Sequence, residues 1–311
     1  MTKAHKLLRW IVPFVITGVA VTYLVSTIDF RGVLERMDAR AAAVLIPALL
    51  VFGAVTLVLE ALSLVRLIPP RNGIGLGFVT AARIKAASYP LALLHYALGT
   101  GGLAVLLSRR SGSGLADAAG IVMLIALFDM GVQLLLIVIG VALLGSDAMT
   151  VRAGLLFAAI AAILGGVAAL RAPISLGPLD RIRNLSIFTA ARTTPAPQLL
   201  QLGALRLVFA ICFISMARAA LYAFDLPVPF GYLIFAIPLL VMVSLIPAVA
   251  GLGPGQVAFV EIFSRWGDAE TLLACSLGLS AGLIVMRASL GLAFAREFTR
   301  EAMASAREAE A

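Results

Sequence analysis

Seven stretches of this chain are apolar over a length that crosses about 30 Å of hydrocarbon, at roughly 9–28, 41–65, 115–145, 151–170, 199–224, 231–250 and 270–295. A backbone placed in lipid must satisfy its own hydrogen bonds, so runs of this length predict an all-α, polytopic transmembrane helical bundle. Composition agrees where it can discriminate. The chain is 62% hydrophobic and only 13% charged, far from the near-half apolar, quarter-charged mixture of a soluble domain. The basic N-terminus, MTKAHKLLRW, precedes the first run without a small-residue cleavage site, which predicts an uncleaved first span.

Two segments depart from plain spans. The first, 76–107, holds Arg83, Lys85, Pro90, His95 and the run GTGG at 99–102. The second reads SLIPAVAGLGPGQVAFVEIF from Ser244 to Phe263, with glycines at 251, 253 and 255. A proline in a helix interior costs about 3 kcal/mol and a glycine about 1 kcal/mol relative to alanine, so neither composition suits a continuous helix. Irregular backbone at membrane depth persists only where it is buried in protein or lines a wet cavity. One interrupted segment in each half of a chain is a sequence pointer to a transporter's substrate site, and the expectation is that the two breaks, near 90–102 and 247–255, line a common cavity.

Arginine placement sets the sidedness. With Lys3, Lys6 and Arg9 inside, the second span returns Arg66 and Arg71 to the cytoplasm, as the positive-inside rule asks. An ordinary span at 76–107 would then put Arg109, Arg110 and the arginine-bearing linker 172–197 outside. A dip that returns to the same face keeps them inside and leaves GSDAMT (145–150) and FDLPVPF (224–230), both free of lysine and arginine, outside. Both termini are then cytoplasmic. The loop 29–40, with Arg31, Arg36 and Arg40, is the one poor fit. The net charge of +8 is carried mostly by loop arginines with no aromatic-interleaved basic face, which suits anionic lipid and excludes nucleic acid.

Candidate substrate contacts gather at the breaks. Arg83 and Lys85 precede the first, His95, Gly99 and Gly101 lie within it, and Arg109 and Arg110 follow it; Gly251, Gly253, Gly255 and Gln256 form the second. Half-helix amides and arginine forks are suited to a phosphate. Asp129, Arg218 and Arg287 sit inside apolar runs, where an isolated charge costs at least about 2.5 kcal/mol. Together with Glu261 they form a candidate intramembrane charge network, in which Asp129 is expected to be neutralised by Arg218 or Arg287. Glu60 is expected to reach the interface or Arg66. No metal and no cofactor is expected: there are two cysteines, Cys212 and Cys275, in no CxxC spacing, and two histidines, His5 and His95, in no HExxH.

In their order and spacing, LLSRRSGSGLADAAGIVMLIALFDM (106–130) and FDLPVPFGYLIFAIPLLVMVSLIPAVAGLGPGQVAFVEIF (224–263) resemble the lysylphosphatidylglycerol synthase transmembrane region family of flippase-like membrane proteins. The resemblance covers nearly the whole chain. Where members carry a glutamate after Gly-Leu-Gly, this chain has Gln256, with Glu261 five residues on. The resemblance implies one integral membrane domain over 1–311, with halves 1–171 and 198–311 joined by the cytoplasmic linker 172–197. It also implies a bacterial inner-membrane location and movement of a lipid with an anionic or glycosylated headgroup. The alternative is a non-transporting scaffold for lipid-biosynthesis enzymes. No soluble aminoacyl-transfer segment is recognised through Ala311, so the expectation is a protein that is not an enzyme.

Overall fold

The structure, a computed structural model, describes residues 39–68, 76–94, 96–144, 184–245 and 253–294, with positions 154, 157, 160, 161, 164, 165, 168 and 171. The predicted span at 9–28, most of that at 151–170, His95 and Gly251 lie outside the described residues. Every regular element among the described residues is helical. In chain order they are α1 (Ala39–Leu67), α2 (Phe78–Leu94), α3 (Tyr96–Ser111) and α4 (Leu115–Leu144); a 3-10 turn Ser186–Phe188 leads into α5 (Thr189–Thr193), followed by α6 (Ala196–Ala223), α7 (Phe230–Val243), α8 (Pro254–Phe263) and α9 (Ala269–Ala293).

Four of these, α1, α4, α6 and α9, are long and apolar enough to cross a membrane, and they coincide with four of the predicted spans. At 1.5 Å per residue they are about 37–45 Å long, matching hydrocarbon plus headgroup layers. Leucines such as Leu50, Leu200 and Leu292 are exposed on their outer faces, as suits a surface solvated by acyl chains rather than water.

The predicted full span at 231–250 is replaced by something shorter. Helix α7 has 14 residues and stops at Val243, with a turn at Ser244 and Leu245. Pro247, four positions after Val243 in the sequence, has no N–H to donate to the Val243 carbonyl, so the ladder cannot continue there. The next helix, α8, has 10 residues and opens at Gly253, whose φ of 111° is closed to residues with a Cβ. Pro254 follows at the first helical position, where its missing N–H costs nothing. Gln256 Oε1 accepts the Gly253 N–H at 2.6 Å, and its Nε2 donates to Ser280 Oγ at 3.2 Å. The hairpin closes on itself: Tyr232 Oη near the start of α7 donates to Ile262 O near the end of α8 at 3.0 Å, and its ring meets that of Trp266 at 4.3 Å. The chain thus leaves this hairpin beside the point where it entered.

The segment 76–107 is also two helices, α2 of 17 residues and α3 of 16, packed on each other. Gly99 makes that approach possible, because a Cβ there would collide with the Cβ and backbone of Ala92. Part of the predicted linker is folded too: Arg171 Nε donates to Ala191 O at 2.8 Å and its Nη2 to Thr194 O, fastening α5.

The described residues divide into two compact units. One comprises 39–52, 136–144, 211–245 and 253–285, and its buried side chains include Leu221, Leu233, Phe263 and Leu272. The other comprises 53–68, 76–94, 96–135, 184–210 and 286–294 with the positions from 154 to 171, around a core that includes Leu64, Ile84, Leu107, Leu124 and Leu202.

Candidate functional site

Within the second unit, four helices each deliver one ionisable side chain to the same place. Glu60 comes from α1, Lys85 from α2, Asp129 from α4 and Arg206 from α6. Arg206 Nη1 lies 3.4 Å from Glu60 Oε1 and 3.6 Å from Asp129 Oδ1, and Lys85 Nζ lies 3.1 Å from Glu60 Oε2. Two carboxylates and two cations make the cluster formally neutral. That is the condition for holding charge at spanning depth, since a buried ion without a partner costs several kcal/mol.

The sequence builds the pocket locally. Leu59, Glu60 and Ser63 lie within one turn of α1, and Arg206 uses all three: Nη2 donates to Ser63 Oγ and to Leu59 O at 3.4 Å, while Nη1 faces Glu60. The guanidinium also lies 5.5 Å from the centre of the Phe209 ring. Ser63 in turn donates to Leu59 O at 2.8 Å. Even so, among the described residues Arg206 Nε and Nη1 are buried without a hydrogen-bond acceptor, and Nη1 meets the two carboxylates as ion pairs only. Burial is graded across the four side chains: Arg206 is 0% exposed, Glu60 10%, Lys85 18% and Asp129 38%. Asp129 is therefore the member open to an incoming group.

The expected partners of Asp129 are corrected by this geometry. The guanidinium that meets it belongs to Arg206, not to Arg218 or Arg287. Arg218 is exposed in the first unit, 5.7 Å from the Phe230 ring centre, and Arg287 is half-buried on α9. Glu60, expected at the interface or near Arg66, is instead buried between Lys85 and Arg206. Arg206 was not singled out by the sequence reading, although the same criterion, a charge inside an apolar run of spanning length, selects it.

Of the residues picked out at the first break, Lys85 reaches the cluster. Arg83, two positions away on α2, is exposed, as helical geometry requires of residues that do not share a face. Gly99 is buried in the α2–α3 contact and Gly101 is exposed with open space around it. Arg109 and Arg110 are exposed in the last turn of α3, where cations complement the helix dipole. At the second break, Gly253 and Gln256 form the opening of α8, Gly255 is half-buried with space beside it, and Glu261 is exposed. These second-break residues belong to the first unit.

Comparison with known proteins adds a family. The sequence model described as Lysylphosphatidylglycerol synthase TM region matches residues 10–290. No curated protein matches the chain. The protein belongs to the lysylphosphatidylglycerol synthase transmembrane-region family and is a multi-pass membrane protein.

Proposed function

We propose, with membership of that family as the premise, that the protein moves a lipid bearing an anionic or glycosylated headgroup between leaflets and is not an enzyme. The observation that carries the reading is Arg206: fully buried, with two donor nitrogens lacking acceptors among the described residues, beside the partly open carboxylate of Asp129. An arriving oxyanion would gain charge-assisted hydrogen bonds there and would compete with Asp129 for Arg206, while Lys85 continues to neutralise Glu60. The headgroup crosses through the protein and the acyl chains stay in lipid.

The short helices support the same reading. At 1.5 Å per residue α2 and α3 reach only about 24–26 Å, α7 about 21 Å and α8 about 15 Å, less than the roughly 30 Å of hydrocarbon. We read each hairpin as re-entrant, leaving through the face it entered; for the first, this keeps Arg109 and Arg110 on the cytoplasmic side with Arg66. The protein then resides in a bacterial inner membrane with both termini in the cytoplasm.

The test is reconstitution into liposomes with fluorescent phosphatidylglycerol or a fluorescent glycolipid, scored by chemical quenching of the outer leaflet. The expected result is a quenchable fraction above that of protein-free vesicles for the native chain, and a return to the protein-free level for Asp129→Asn with unchanged melting. One observation favours the second reading, a static scaffold for lipid-biosynthesis enzymes: the cluster is already neutral and Arg206 is held on Ser63 and Leu59. Under that reading no lipid in the panel moves, and Asp129→Asn lowers the melting temperature instead.

A further inference from the structure

The first unit contains a cavity of about 690 Å³ at the end of α6 and the turn that follows it. One face is supplied by α6, where Ser215, Arg218 and Tyr222 recur at helical spacing. The turn closes the other side. Leu226 N–H donates to Leu221 O at 2.9 Å and Asp225 N–H to Tyr222 O at 3.1 Å, with Asp225 at a φ of 53°, which is the hydrogen-bond pattern of a Schellman cap. Pro227 and Pro229 then keep the chain extended into α7, whose first residue, Phe230, lines the cavity.

The charge pattern at this cavity is asymmetric. Asp225, the nearest acid on the turn, is engaged by Arg40 of α1 through two hydrogen bonds of 2.8 and 3.0 Å. Among the described residues no carboxylate meets Arg218; its guanidinium stands over the Phe230 ring. The lining is otherwise apolar, including Val44 and Leu226, apart from the hydroxyls of Ser215 and Tyr222. Depth matters as well. Arg218 lies about 7 Å from the end of α6 at 1.5 Å per residue, in a helix about 42 Å long that spans a bilayer of about 40–45 Å with its headgroups. That puts the guanidinium at the boundary where lipid phosphates lie, with Tyr222 beyond it in the interfacial belt.

We infer that this cavity is a binding site for the phosphodiester of an anionic phospholipid, held by the Arg218 fork and the Ser215 and Tyr222 hydroxyls, with the upper acyl segments against Val44. A planar, permanently charged fork that meets no carboxylate among the described residues matches a phosphate, and an apolar wall matches acyl chains rather than a free anion. The site shares no residue with the charge cluster and requires no movement of lipid, so it stands or falls apart from the transport reading.

The experiment is titration of the purified full chain in detergent with dioctanoyl phosphatidylglycerol, read by native mass spectrometry as bound lipid per protein. The native protein is expected to retain it, Arg218→Gln to bind at least about tenfold more weakly, and Arg218→Lys to fall between. Ala219→Trp, which fills the cavity without touching the charge, is expected to lose binding as well and covers the case in which Arg218→Gln does not fold. Equal retention by native and Arg218→Gln proteins overturns the proposal, as does equal retention of dioctanoylglycerol, which lacks the phosphate. Tight binding of inorganic phosphate at the same residues overturns the assignment to a lipid.

Discussion

Glu60, Lys85, Asp129 and Arg206 are each costly in a membrane helix taken singly, and together they satisfy most of one another's charge. Removing one member leaves the others uncompensated, which is worse than never having had the cluster. Arg206→Leu is therefore expected to destabilise the protein by about 3–5 kcal/mol. Ser63→Ala, which removes one acceptor of the guanidinium, should cost about 1–3 kcal/mol. Asp129→Asn, at the open edge, should leave the unfolding midpoint unchanged. Unfolding of the detergent-solubilised variants, followed by circular dichroism against denaturant, checks the ranking; a stable Arg206→Leu protein would remove the argument that the cluster is mutually dependent. The requirement that charges in spans be paired was legible in the sequence. The pairing itself was not, since Arg206 and Ser63 are 143 positions apart and nothing local to either residue points to the other.

At the scale of elements, the break at Gly253 is a designed opening rather than a weak point in a helix. Gly253 supplies the positive φ, Pro254 the first helical position and Gln256 the acceptor for the freed amide. Gly253→Ala is expected to cost about 1–3 kcal/mol through backbone strain. Gln256→Leu, which orphans the buried amide, should cost about 1–3 kcal/mol. Because both act on one cap, the double variant should lose less than the sum of the single losses, and a thermal-melt cycle in detergent measures the difference. Full additivity would mean that the two residues do not share a task. Gly253 and Pro254 announced the second interruption, since they act on their own and adjacent peptide units; in 76–107 the chain does divide into two helices, but Pro90 lies inside α2 and Gly99, Gly101 and Gly102 inside α3. What they did not announce was that Phe230–Val243 folds as one arm of a hairpin, a consequence of the Tyr232 contacts to Ile262 and Trp266 some thirty residues on.

For the whole molecule, the distribution of arginine predicts which connections face the cytoplasm. In a background with Cys212 and Cys275 replaced by alanine, Ser113→Cys is expected to react with a membrane-impermeant maleimide only after the cells are opened. Ser146→Cys should react in intact cells. The reverse result would invert the topology and with it the re-entrant reading of α2 and α3.

Hydropathy, proline and glycine act within a turn or two of where they stand, and positive charge acts on the nearest membrane face. The sequence by itself therefore determined the membrane class, four helices of spanning length and the interruption at Gly253. The tertiary structure decided which helices meet. It chose Arg206 as the cation for Asp129, gave Glu60 to Lys85 and Arg206, and left Arg218 beside an apolar cavity, because each outcome depends on the facing sides of helices brought together from distant parts of the chain.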